Sequence, residues 1–215
     1  MRIIGTVALT LALTLAGAAT QAEVAVHTKG AVQVVGKVAL GANGKRGFGA
    51  FKARARDFNG ALYVSTGADH AEWWVDEHRL DDAKAIAKAN CEANDGAGGA
   101  CVLYAVIVPA GNPVGAGQVV RNINGSLSRD LARSLAKGKA GSFGAAAANR
   151  VAKYGLSWGQ PTREAARKDA LLTCLRSIEA GGGADVYSKY VSAATYQRLL
   201  SGGRFDCKIV AEWQK

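Results

Sequence analysis

The strongest constraint on the fold is a set of four cysteines that lies inside an internal repeat. Two alanine-rich segments, residues 82–91 and 165–174, each place Ala, Ala and Cys four residues apart, which is the spacing of one helical face. Two mostly apolar segments, residues 101–105 and 207–211, each begin with Cys and are typical of short strands. Because both patterns occur twice in the same order, the sequence predicts two copies of one small unit.

The repeat extends toward the N-terminal side of each copy. Residues 48–50 and 143–145 both read Phe-Gly-Ala. In the first copy, residues 48–55 and 61–65 contain aromatic and β-branched positions on either side of an Asp-Phe-Asn-Gly turn at 57–60, which predicts a hairpin. Each copy is therefore expected to be β-β-α-β, an α+β unit with one helix on a small antiparallel sheet.

These patterns divide the chain into five segments. We expect a signal peptide at residues 1–22 and an N-terminal β hairpin at 23–47. Repeat 1 is then expected at 48–110, a linker at 111–141 and repeat 2 at 142–215.

The linker contains a predicted basic amphipathic helix at residues 126–137, with Gly138 as its end. Its apolar and basic faces are formed by Leu127, Leu131 and Leu135, and by Arg129, Arg133 and Lys137. Two interpretations remain open at this point. The helix packs on the repeats with its charged face in solvent, or it binds a membrane surface or a partner.

The N-terminus has the features of a secretory signal peptide. Arg2 precedes an uncharged apolar run at residues 3–19, and small residues follow at 20–22. The run is slightly short for a membrane span and lacks a basic flank on its C-terminal side. We therefore expect cleavage after residue 22, with an uncleaved anchor as the alternative, and a periplasmic or secreted chain with no transmembrane segment after cleavage.

An even number of cysteines in an oxidising compartment predicts disulfide bonds. In each copy one Cys belongs to the helix and one begins the last strand, so the expected pairs are Cys91 with Cys101 and Cys174 with Cys207. The alternative is a zinc site, but no Cys-x-x-Cys pair is present.

The chain is strongly basic, with a formal charge of +10 from 27 Lys and Arg against 17 Asp and Glu. Lys52, Arg54 and Arg56 occupy alternate positions of the expected first strand, so they would share one face of the sheet. Such a face attracts anions, and the expected partners are an anionic envelope polymer or an acidic protein. A membrane surface is a further possibility, whereas the expected compartment argues against nucleic acid.

An acidic, histidine-containing segment at residues 69–78 occurs only in the first copy. His70, Glu72 and His78 could bind a divalent metal or act as general acid and base. The spacing matches no established site, so we favour an exposed loop whose Trp73 and Trp74 cover the core or contact a ligand such as a carbohydrate.

Other catalytic patterns are incomplete. Residues 155–159 fit Gly-x-Ser-x-Gly, but the nucleophile elbow of α/β-hydrolases needs a later histidine. His27, His70 and His78 all precede this segment. No complete nucleotide-binding loop is present, and no cofactor is expected. These observations favour a protein that is not an enzyme without excluding one.

The signal peptide, the Phe-Gly-Ala opening, the Ala-x-x-x-Ala-x-x-x-Cys helix and the Cys-led strand resemble the secreted bacterial domain of unknown function 4189. The resemblance covers residues 48–108 and 143–213 as two divergent copies. It implies a small envelope or secreted module and assigns no catalytic residues.

The sequence as a whole predicts a non-enzymatic binding module with a basic face. One alternative is an envelope hydrolase or metal-binding protein that uses His70 to His78. Another is a protein inhibitor or assembly factor that uses a long loop at residues 178–205.

Overall fold

A computed structural model describes residues 24–95, 99–115, 117–180 and 206–215. These residues form a mixed α/β fold with four helices and several small sheets. The helices are α1 (Ala42–Ala53), α2 (Leu80–Asn94), α3 (Gly125–Lys137) and α4 (Arg163–Ala180). The strands are β1 (Val24–Ala25), β2 (Lys29–Val34), β3 (Gly60–Ser65), β4 (Ala71–Trp74), β5 (Cys101–Ala110), β6 (Gln118–Val119), β7 (Phe143–Ala148), β8 (Tyr154–Gln160) and β9 (Lys208–Gln214).

The first sheet is antiparallel, has the order β2-β5-β3-β4, and lies between two helices. Alternate residues of β3 point to opposite faces. Leu62 and Val64 pack in one cluster with Phe51 of α1. Ala61 packs in another cluster with Ala83 of α2. Both faces of this sheet are therefore covered.

The second sheet is antiparallel, has the order β8-β7-β9, and is likewise covered on both faces. Ala145 and Ala147 of β7 pack in one cluster with residues of α4. Ala146 packs in another cluster with Leu127 and Leu131 of α3. The small side chains of β7 let both helices approach the sheet closely. In each sheet, the first strand of the β-β-α-β order is hydrogen-bonded to the other two.

The N-terminal hairpin expected within residues 23–47 does not form. β1 pairs in parallel with β6, whereas β2 pairs with β5 in the first sheet. The physical reason is burial, since Val24 and Val26 lie in the core that packs against the second sheet. We call the two larger sheets with their helices the two halves of the protein, and the chain passes from the half with the second sheet to the half with the first sheet between β1 and β2.

The prediction of a strand at residues 48–55, and of a hairpin that joins it to residues 61–65, is wrong. Residues 48–53 belong to α1, and the hairpin of this region is β3–β4. Phe48 and Phe51 are one helical turn apart, and both pack against the first sheet. Asn59, which was expected in the hairpin turn, has a positive φ of 61° and leads the chain into β3.

The alanine-rich patterns are helices, as expected. The first lies within α2 and the second within α4. At the start of α4, the Thr162 hydroxyl accepts a hydrogen bond of 3.1 Å from the backbone N–H of Ala165.

The linker helix is α3, and it packs on the protein. Asn124 precedes it, and its side-chain oxygen accepts a 2.8 Å hydrogen bond from the backbone N–H of Leu127. Leu127 and Leu131 are completely buried. The apolar side of α3 is therefore used inside the protein and is not available to a membrane. The expected signal peptide and residues 181–205 of the expected long loop lie outside the described residues.

Both expected disulfides are confirmed. Cys91 of α2 is bonded to Cys101 at the start of β5. Cys174 of α4 is bonded to Cys207, which directly precedes β9. Each bond joins the long helix of one half to the following strand, which is compatible with a protein outside the cytoplasm.

Replacing the cysteines tests how much each bond stabilises the fold. The Cys174–Cys207 bond joins residues 33 positions apart and the Cys91–Cys101 bond joins residues 10 apart. We expect the double serine variants to lose about 4 and about 3 kcal/mol of unfolding free energy, respectively, since the longer loop restricts the unfolded chain more. Denaturant unfolding measures both values, and wild-type midpoints for both variants would contradict this account.

Candidate functional site

The prediction that Lys52, Arg54 and Arg56 share one face of a sheet is wrong, although the three residues are close together in the chain. Lys52 is in the last turn of α1, Arg54 is the residue that ends this helix, and Arg56 follows in the connection to β3. The alternation that suggested a strand is overridden by Phe48 and Phe51, whose burial favours a helix here.

The solvent-exposed side of α1 is nevertheless strongly basic. Its exposed cations, with those of the following turn, are Lys45, Arg46, Lys52, Arg54 and Arg56, and we call this group the α1 basic surface. Between them the exposed positions are Gly49, Ala50 and Ala53. Because these residues are small, an anionic chain can approach the helix without steric hindrance from larger side chains.

Three of the five cations are held by neighbouring side chains. The Lys52 ammonium lies 4.8 Å from the ring centroid of Phe48. Arg54 donates a 2.6 Å hydrogen bond to the Asp57 carboxylate, and the Arg56 Nε lies 3.8 Å from the same group. Asp57 is buried and also accepts from Arg129, so one carboxylate serves three guanidinium groups. The balance of charge at this surface stays positive.

Asp69 stabilises the start of α1 from another part of the chain. Its two carboxylate oxygens accept 2.8 Å hydrogen bonds from the backbone N–H groups of Asn43 and Gly44. These hydrogen bonds lower the pKa of Asp69 from its ordinary value. An anion is also favourable at a helix N-terminus, and α1 has no acidic residue of its own in its first turn. The carboxylate is therefore part of the fold.

The two tryptophans do not form an exposed loop. Trp73 and Trp74 belong to β4 and are partly buried. The ring of Trp73 lies 6.5 Å from that of Phe51, centroid to centroid. The indole N–H of Trp74 donates a 2.7 Å hydrogen bond to Glu77. Both side chains pack against the core, which is one of the two roles expected for them, but they do so from a strand and not from an exposed loop.

His70, Glu72 and His78 do not form a metal site in the structure. Nε2 of His70 lies 3.4 Å from Glu72, but both ring nitrogens of His78 contact groups elsewhere. Within the described residues, no group of three or more His, Cys, Asp or Glu side chains is arranged to hold a metal ion. The alternative metal-binding role of this segment therefore has no geometric support in the described residues.

His78 lies instead at the junction of the two halves. Its Nδ1 accepts a 3.0 Å hydrogen bond from the backbone N–H of Asn124, at the start of α3. The proton is therefore on Nε2, which lies 3.3 Å from the carbonyl oxygen of Lys153 in the β7–β8 turn. Burial lowers the pKa of His78 from 6.5 to about 4, so the ring is neutral at neutral pH.

Further hydrogen bonds hold the same junction. The Asn59 amide donates to the carbonyl oxygens of His78 and Ile123, at 3.1 and 3.0 Å. Arg150, in the β7–β8 turn, donates a 2.8 Å hydrogen bond to the buried Asp82 of α2. These contacts fix the segment between β4 and α2 against both α3 and the second sheet.

The neutral state of His78 predicts that the protein loses stability in mild acid. The unfolded chain binds a proton near pH 6.5, whereas the folded chain does so only near pH 4. The contribution of His78 to the free energy of unfolding is therefore fully present above pH 6.5. It decreases as the pH falls, and the free energy of unfolding is lower by about 3 kcal/mol at pH 4. Urea unfolding at a series of pH values measures this loss.

Histidine variants provide the control for this prediction. His78→Asn removes the titrating group, so its unfolding free energy should change less with pH between 6.5 and 5 than that of the wild type. His70→Asn should retain the wild-type pH dependence, because His70 has no comparable position at the junction. A wild-type unfolding free energy that is constant over this range would contradict the account.

The Gly-x-Ser-x-Gly segment is part of a strand. Ser157 lies in β8, is buried, and donates a 2.8 Å hydrogen bond to Asp169 of α4. A Cβ atom at Gly155 would lie 2.3 Å from the carbonyl oxygen of Ala170. This glycine is therefore required for close packing of α4, and the serine is not presented as a nucleophile.

A cleft of about 450 Å³ lies beside the junction. Arg79 and Arg121 line it, and neither makes a salt bridge within the described part of the chain. Asp81 also lines the cleft, but its carboxylate lies 3.6 Å from the ammonium group of Lys84. The positive charge of the protein is thus not confined to α1.

Comparison with known proteins gives no match. No family model, no curated protein and no solved structure matches this chain. Across the ranges that the structure describes, no helix is both long enough and apolar enough to cross a membrane.

Proposed function

We propose that this protein is a periplasmic or secreted binding module without enzymatic activity, and that it recognises an anionic envelope polymer. The observation that carries the proposal is the α1 basic surface, where five exposed cations lie on one helix and its following turn. The two carboxylates beside it, Asp57 and Asp69, are both engaged in internal hydrogen bonds.

The arrangement of the cations favours an extended partner. Lys45 and Lys52 are seven residues apart, which places them about 10 Å apart along the helix axis and on nearly the same side. Arg46 lies on the adjacent exposed side, and neither Lys45 nor Arg46 makes a salt bridge within the described residues. A polymer with repeated negative charges can contact several of these groups at once, whereas a single small anion cannot.

The architecture supports a secreted module. Two disulfides stabilise a chain that carries a predicted signal peptide, and such bonds are typical of oxidising surroundings. We further propose that the two halves are divergent tandem copies of one unit. The supporting observation is that α1-β3-β4-α2-β5 and α3-β7-β8-α4-β9 share element order, and each sheet lies between its two helices. The proposed unit has one more helix than the β-β-α-β repeat expected from the sequence. It aligns α1 with α3, so the two Phe-Gly-Ala segments, which lie in α1 and in β7, are not equivalent.

Charge removal on α1 tests the proposed binding surface. We expect the triple variant Lys45→Gln, Arg46→Gln, Lys52→Gln to bind isolated cell envelopes about tenfold more weakly than the wild type at low salt. Wild-type binding should also weaken as the salt concentration rises, because exposed charges are screened. Co-sedimentation with isolated envelopes over a salt series measures both effects. Arg54 and Arg56 are left unchanged because they contact Asp57.

A matched variant separates this surface from net charge. Arg163→Gln, Lys168→Gln, Arg176→Gln removes three exposed cations from α4 and gives the same total charge. It should bind envelopes nearly as well as the wild type. Equal weakening of both triple variants would overturn the assignment to α1. Binding that persists after protease treatment of the envelopes supports a polymer, and its loss would indicate an acidic protein instead.

A further inference from the structure

A second cavity, of about 300 Å³, lies at the junction of the two halves. It is formed where the β7–β8 turn and the start of β9 meet the segment before α2. Its lining includes the polar side chains of Asn149, Arg150, Arg79, Lys208 and Asp206. None of these residues belongs to the α1 basic surface.

Asn149 has a buried donor without a partner in the described part of the chain. The residue is only 4% exposed, and its Nδ2 has no hydrogen-bond partner among the described residues, whereas its Oδ1 accepts 3.0 Å hydrogen bonds from the backbone N–H groups of Val151 and Lys153. These two donors fix the orientation of the amide, since the opposite orientation would place its NH₂ group against them. Buried polar groups normally have partners, and Asn149 belongs to the lining of the cavity, so a ligand bound there can supply the missing acceptor.

The charges around the cavity favour an anionic acceptor. Arg150 is paired with Asp82 at 2.8 Å, so its charge is balanced within the protein. Arg79 and Lys208 make no salt bridge with any described residue, and Asp206 supplies the single carboxylate among the described residues that line the cavity. The cavity therefore has both a surplus of hydrogen-bond donors and a surplus of positive charge. Both ring nitrogens of His78 are already engaged, so this residue shapes the wall without supplying a free group.

We propose that this cavity is a second binding site, which takes a small organic anion through its carboxylate or phosphate group. An oxygen of this group accepts a hydrogen bond from Asn149 Nδ2, and the guanidinium of Arg79 and the ammonium of Lys208 balance its charge. A volume of about 300 Å³ suits a metabolite-sized ligand and excludes a polymer. The site is independent of the polymer-binding surface proposed for α1.

Nuclear magnetic resonance titration of the full mature chain tests this site directly. The probes are sodium acetate and inorganic phosphate, each added at constant ionic strength with sodium chloride as the reference. We expect saturable shifts of the Asn149 side-chain NH₂ signals and of the backbone amides of Arg150 and Val151. The probe that binds more tightly identifies the group of the ligand. The absence of saturable shifts with both probes would overturn the proposal.

Three variants make the test specific. Asn149→Asp keeps oxygens that accept from Val151 and Lys153 but removes the donor, so affinity measured from the Arg150 and Val151 amides should fall at least tenfold. Arg79→Gln changes an exposed side chain, should leave the fold intact, and should weaken binding severalfold. Lys168→Gln on α4 removes the same charge away from the cavity and should leave affinity unchanged. Wild-type affinity in both Asn149→Asp and Arg79→Gln would contradict the assignment.

Discussion

The relation between the two halves of this protein depends on a buried, neutral histidine. His78 lies in the segment between β4 and α2, and its ring contacts the backbone of Asn124 and of Lys153. A neutral imidazole donates at one nitrogen and accepts at the other, so it satisfies one carbonyl and one N–H group at the same time. The Arg150–Asp82 salt bridge then joins the β7–β8 turn to α2.

The cleft and the smaller cavity both border this junction. Arg79 is the residue after His78 and lines the cleft and the smaller cavity alike. The Asn149 amide is held by hydrogen bonds from Val151 and Lys153, so the donor proposed for the ligand is oriented before binding, which reduces the entropic cost. The α1 basic surface has a separate origin, since its helix is capped by Asp69 and is covered on its other side by the first sheet.

The sequence predicted the elements whose signals are local. The alanine and cysteine spacing gave α2 and α4, the leucine spacing gave α3, and the equivalent cysteines gave the disulfide pairs. It failed where the deciding contact is distant in the chain. Phe-Gly-Ala is helical at residues 48–50 and extended at 143–145, because different tertiary contacts bury each phenylalanine. His78 contacts residues that are 46 and 75 positions away in the chain. Asp69 caps α1 through donors that are 25 and 26 positions away. Contacts over such distances leave no periodic pattern in the sequence.

Determining the protonation state of His78 tests most directly whether a neutral histidine joins the two halves. Long-range ¹H–¹⁵N correlation spectra distinguish the two nitrogens of a histidine ring and show which one carries the proton. At pH 6 we expect a neutral ring with its proton on Nε2, as the hydrogen bond from Asn124 to Nδ1 requires. A proton on Nδ1, or a charged ring at that pH, would show that His78 does not join the two halves in the way described.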